Sequence, residues 1–195
     1  MPFPDFNDFD ITDEEILADL FHPAPAPTPY RPAEEPFAIQ IAVRGYELDS
    51  YGHLNRAVYL QYAEHARWEC LRAAGVEPAD LLAAGLGPVT LEETIRYHRE
   101  LRAGQQVAVS CAAVWGAGKT FALDQEFRLA EGVPVAELTG VCGLMDLEKR
   151  RLVDRPAERW RSLAKFPERL GLASASAEDV AKAHAVAERR KLRAE

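Results

Sequence analysis

Between Asn55 and Ala74 the chain carries about twenty residues of helical apolar spacing, closed by Gly75. Val58, Tyr59, Tyr62, Ala63, Ala66, Cys70, Leu71 and Ala74 define an apolar surface wider than one stripe. That width predicts a largely buried helix, and a buried helix needs a layer to lie against. Strand patterns on either side supply it. Residues 37–44 alternate, with Phe37, Ile39, Ile41 and Val43 on one face. After the helix come four more strand patterns, over 87–98, 105–115, 119–130 and 134–147, with no second long helix. Gly116-Ala117-Gly118 and Glu131-Gly132 supply turns between them. Strands joined by hairpins make an antiparallel sheet, and no strand–helix–strand alternation supports a parallel one. The expected class is therefore α+β, a five-stranded antiparallel sheet packed with one long helix.

Charge and proline mark the ends of this domain. Residues 1–36 hold nine acidic residues, one basic residue and eight of the thirteen prolines. Residues 37–147 hold fourteen acidic and nine basic residues, and 148–195 hold eight and thirteen. The chain thus divides into an acidic, Pro-rich arm (1–36), the domain (37–165) and a basic, helical C-terminal extension (166–195). Within the arm, Thr12 and Glu15 form a capping box flanked by Ile11 and Ile16, which predicts a short helix stopped by Pro23. The 23–29 stretch is expected to be polyproline II. Ser176 could cap a last helix over 177–193.

Several function classes fall away. No apolar run reaches the roughly 18 residues of a membrane span, and the N-terminus lacks a signal-peptide pattern. Cys70, Cys111 and Cys142 are odd in number and far apart, so neither a disulfide framework nor a zinc site is indicated; a cytoplasmic protein with reduced thiols is expected. A net charge of -8 without interleaved basic and aromatic residues argues against nucleic acid. No nucleophile-elbow serine, P-loop or dinucleotide fingerprint is present.

The informative stretch is 44–69, where a strand ends, a polar turn follows and the long helix begins. It contains Asp49, His53, Asn55, Arg56, Tyr59 and Glu64. A helix start offers unpaired N–H groups that can polarise a carbonyl, and an upstream carboxylate can attack it or activate a water. Each residue also has a structural explanation. Asp49-Ser50-Tyr51-Gly52 suits a type I turn, Asn55 suits an N-cap, and Glu64 can pair with Arg67 at i,i+3.

The run YELDSYGHLNRAVYLQYAEHAR resembles the hotdog-fold acyl-CoA thioesterases of the 4-hydroxybenzoyl-CoA thioesterase family. Asp49, Gly52, His53, Asn55, Tyr59, Tyr62, Glu64 and Arg67 fall on the pattern, which extends over about 37–165. The resemblance implies a sheet wrapped around the central helix. It implies that Asp49 is the catalytic carboxylate, with backbone amides near Asn55 and Arg56 polarising a thioester carbonyl. Glu64 lies near the helix carboxylate of other hotdog branches. The substrate implied is an acyl-CoA, hydrolysed without a metal or organic cofactor, with acyl-carrier-protein thioesters or acyl binding without catalysis as the alternatives; the assembly implied is a homodimer or homotetramer with active sites between protomers. Lys119 and Thr120, after the Gly116–Gly118 turn, are the candidates for binding the nucleotide end of CoA. Apart from Pro134 at the start of the second, strands 105–115 and 134–147 lack the proline and dense charge of protected edges, and one sheet could cover only part of the helix. Both features point to pairing with a second chain.

Overall fold

The structure is a computed structural model that describes residues 36–172. The expected helices in the arm and over 177–193, and the 23–29 segment, lie outside the described residues. The first strand, β1, is Phe37–Ala42, and a 3-10 turn at Gly45–Glu47 leads toward the long helix α1, Arg56–Ala73. There follow α2 (Pro78–Ala83), β2 (Leu86–Tyr97), β3 (Gln106–Trp115), β4 (Thr120–Arg128), β5 (Pro134–Asp146), β6 (Arg151–Leu152) and α3 (Pro156–Leu163). A last 3-10 turn occupies Pro167–Leu170.

All strand pairs are antiparallel, in the order β1-β3-β4-β5-β2. Five long strands are those expected; β6 and α2 are additions. The β4 pairing ends at Gly143, and the two-residue β6 takes over beside Met145 and Asp146. Leu152 passes so close to Gly143 that an added Cβ would meet its Cδ2 at 2.7 Å. No side chain larger than hydrogen fits there unless Leu152 moves.

The helix lies against the apolar face of the sheet. Tyr59, Tyr62, Ala63 and Ala66 pack with Val107, Val109, Phe127, Val135 and Leu138. Farther along, Cys70 and Leu71 pack with Phe121, Leu123, Trp160 and Leu170. Gln125 reaches up from β4 and donates to the Ala63 carbonyl at 2.9 Å, tying sheet to helix in the buried core.

Two expectations need correction. Strands 105–115 and 134–147 are interior, flanked on both sides, so their apolar character reflects burial within the sheet. The edges are β1 and β2, and β2 carries exposed Glu92, Glu93 and Arg96 of the kind that guards an edge. The far end of α1 is also covered from within the chain. Phe166 N–H donates to the Ala74 carbonyl at 3.0 Å, and Leu170 and Leu172 are buried. Core packing therefore continues past residue 165. Among the described residues no helix is long and apolar enough to cross a membrane.

Candidate active site

Residues 48–54 form a small hairpin at the mouth of α1, closed by an antiparallel bridge between Leu48 and Leu54. Gly52 N–H donates to the Asp49 carbonyl at 3.1 Å, and Asp49 N–H donates to the His53 carbonyl at 2.8 Å. Gly52 has φ +77, which a side chain resists. Asp49 organises the turn with one oxygen: Oδ1 accepts from Tyr51 N–H at 2.9 Å and His53 N–H at 3.2 Å. Its Oδ2 accepts no hydrogen bond among the described residues, and the side chain is exposed. The expected turn thus coexists with a chemically available carboxylate oxygen.

Asn55 caps the helix, its Oδ1 accepting from Ala57 N–H at 2.9 Å. Val58 N–H donates to the Asn55 carbonyl. The Asn55 N–H is itself engaged, donating to the Glu47 carbonyl at 2.9 Å. Of the two amides expected to polarise a carbonyl, this leaves the Arg56 N–H, on the positive end of the helix dipole. The Leu48–Leu54 bridge sets the two legs of the hairpin side by side, with Asp49 on one leg and the helix start at the end of the other.

A buried network holds this hairpin. Glu47 is 9% exposed. Its carboxylate accepts from the Arg44 amide at 2.7 Å, the Arg44 guanidinium at 2.9 Å and the Tyr62 hydroxyl at 2.5 Å. Burial pushes the Glu47 carboxyl up, but these hydrogen bonds outweigh it and leave it below the ordinary value. Tyr62 is raised, first by burial and then by the Glu47 carboxylate.

His53 Nε2 sits 3.3 Å from Glu100 Oε2 and 3.2 Å from Arg102 Nη2. Arg102, then burial in the opposite sense, then His53 act on Glu100, with its carboxyl held below the ordinary range. Tyr59 is buried, edge-on to Tyr97 at 5.1 Å and near Phe127. Burial first, then Tyr97, raises its phenol to about 12, so it acts at neutral pH as a protonated group.

The structure therefore brings Asp49, His53, Asn55 and Arg56 together, with Tyr59 one turn deeper. Glu64 lies apart, nine residues beyond Asn55 and so about 13 Å along the helix. It pairs with Arg67 and accepts from Trp68 Nε1 at 2.6 Å, the structural alternative. Lys119 and Thr120 lie at the β3–β4 turn, with Thr120 opening β4. Glu47, Glu100 and Arg102 are outside the set expected from sequence. Only the Arg44–Glu47 spacing signals any of them, because Glu100 and Arg102 arrive through tertiary packing. Among the described residues no cluster of His, Cys, Asp and Glu could hold a metal ion.

A family model described as the thioesterase-like superfamily matches residues 43–173. Long-chain acyl-CoA thioesterase FadM of Escherichia coli (strain K12) is 34% identical over 119 residues, 57% of this chain and 85% of that protein. Acyl-acyl carrier protein thioesterase ATL3, chloroplastic, of Arabidopsis thaliana is 28% identical over 113 residues, 57% of this chain and 60% of that protein. The chain thus spans three-fifths of that relative's length. The crystal structure of YbaW, a probable thioesterase from Escherichia coli, superposes with a TM-score of 0.59 at 28% identity, covering 66% of this chain and 99% of YbaW.

Proposed function

Because this chain belongs to the thioesterase-like superfamily and has its hotdog fold, we propose that it hydrolyses acyl-CoA to a carboxylic acid and free CoA. The observation that carries this reading is the hairpin at the start of α1. It carries an Asp49 oxygen that accepts no hydrogen bond among the described residues and runs directly into the helix start at Arg56. The thioester carbonyl oxygen would accept from the Arg56 N–H, and the helix dipole would favour the negative charge that develops there. Asp49 would attack the carbonyl carbon, or take a proton from the attacking water. The thiolate of CoA then leaves and takes up a proton; where Asp49 is the nucleophile, water hydrolyses the acyl–aspartyl anhydride to the carboxylic acid and restores the carboxylate. His53, fixed between Glu100 and Arg102, would hold the far leg of the hairpin. Exposed Arg56 and Arg102 suit a substrate that carries phosphates. Lys119 and Thr120 remain the proposed contacts for the nucleotide end of CoA. The three buried, unbridged cysteines fit a cytoplasmic setting.

Release of thiol across a panel of acyl-CoA esters tests the activity, with the same acyl groups on an acyl carrier protein as the second arm. Turnover of the CoA esters is expected. Turnover confined to carrier-protein esters would change the substrate class, and acyl binding without turnover would contradict hydrolysis.

We also propose a homodimer or homotetramer, with active sites between protomers. The outer edge of β1 supports it, since it pairs only with β3 among the described residues and lacks the charges that guard β2. Sedimentation at micromolar concentration should give two or four chains. A fully active species of 21.7 kDa would contradict the shared site.

A further inference from the structure

The main chain of His53 serves Asp49, and its side chain serves the loop after β2. Its N–H donates to Asp49 Oδ1 at 3.2 Å, and its carbonyl accepts from the Asp49 N–H at 2.8 Å. Its ring Nε2 lies 3.3 Å from Glu100 Oε2 and 3.2 Å from Arg102 Nη2. The loop is a firm support. Leu101 is fully buried, and its carbonyl accepts the Leu54 N–H at 2.8 Å. The Arg102 N–H donates to Gln105 Oε1 at 2.6 Å. The Arg102 guanidinium grips Glu100 Oε1, from Nε at 3.1 Å and from Nη2 at 2.7 Å. Glu100 Oε2 is then the oxygen left for the ring.

One ring nitrogen is thus met by a carboxylate, which only accepts, and a guanidinium, which only donates. A ring with hydrogen on Nε2, neutral or charged, can donate to Glu100. A ring bare at Nε2 can accept from Arg102. The neutral ring therefore has either partner, but the imidazolium has Glu100 alone, because an N–H facing the Arg102 donor at 3.2 Å is repelled. The charged groups that meet His53 are Glu100 and Arg102 from the loop and Asp49 on its own hairpin.

We propose that Glu100 is a positioning residue for Asp49, acting through His53. It keeps the charged ring anchored to the loop, and with the ring the two main-chain bonds that set the Asp49 carboxylate. The reading rests on the proposed role of Asp49 in hydrolysis. Glu100 is 47% exposed, so a substitution there leaves the core intact.

Glu100→Gln isolates the effect. The Gln carbonyl stays with the Arg102 guanidinium, so its NH2 group faces Nε2 and serves only a bare ring. The ratio of variant to wild-type kcat in thiol release should lie within about threefold of unity near about pH 8. It should fall about tenfold further near about pH 5.5, across the range where an ordinary imidazole gains its proton, with KM little changed. In a His53→Ala background the same substitution should add nothing. A ratio equal at both pH values, a loss confined to KM, or a full extra loss in the His53→Ala background overturns the inference. Hydrogen exchange of the Asp49 amide, corrected for its intrinsic rate, is read on the same proteins without substrate. It should be faster in Glu100→Gln than in the wild type at the acid pH and equal at the higher one; unchanged exchange overturns the inference. Should Glu100→Gln fail to fold, Glu100→Ala, which also leaves the charged ring without its acceptor, is read in the same way. A chain that shows the exchange change but cleaves no thioester would sink the proposed hydrolysis alone. One that cleaves thioesters with a ratio indifferent to pH would sink this inference alone.

Discussion

The Glu47 carboxylate receives three hydrogen bonds while buried, and its backbone carbonyl receives the Asn55 N–H. One residue thus joins the strand end, the hairpin and α1. Burying a charge is costly, and the cost is offset here because every donor aims at the ionised form. Glu47 lies below its ordinary pKa in the folded chain. Its stabilising contribution is present above the unfolded value of about 4.3 and is lost as pH falls through the lower folded value. Glu47→Gln should therefore lower stability at neutral pH by about 1–3 kcal/mol. It should also flatten the loss of stability between neutral pH and the acid range. Urea unfolding of both proteins at a series of pH values checks this; parallel curves would show that the Glu47 charge does not stabilise the fold. Tyr59, close by, carries no such linkage near neutrality because burial keeps its phenol protonated.

At the scale of elements, the start of α1 depends on one side chain. Asn55→Ala removes the acceptor for Ala57 N–H and should cost about 1 kcal/mol, while Asn55→Asp should keep most of the cap. Thermal unfolding of the two variants measures the difference; equal loss in both would show that the side-chain acceptor is not what matters. The bounds of this helix were legible because Asn55 and Gly75 are strong local signals and the apolar spacing runs for five turns. The five long strands were legible for the same reason, since alternation marks a face. Strand order was not. Alternation in Val107, Val109 and Cys111 says which side is buried, but not that β3 lies between β1 and β4. The six residues of α2 and the two of β6 are too short to carry a period. Within the candidate site, Asp49 and Asn55 stood out through turn and cap chemistry. Glu100 and Arg102 meet His53 only through the loop after β2, which no spacing in the chain announces.

Over the whole molecule, the hotdog layer arrangement leaves one end of α1 open at the Asp49 hairpin and closes the other with the chain's own 156–172 segment. The charge follows a similar division. Residues 37–195 hold 22 acidic and 22 basic residues, so the net charge of -8 resides in the first 36. That balance supports the boundary expected at residue 36. At the open end, a carboxylate and a helix start form the site proposed to cleave a thioester. It is tested most directly by steady-state thiol release from acyl-CoA by the full chain and its Asp49→Asn variant, with matching circular dichroism. The change keeps the shape of the turn and removes the nucleophile or base. A fall in kcat of at least about a hundredfold with KM little changed is predicted; turnover near that of the wild type in the folded variant would contradict the account.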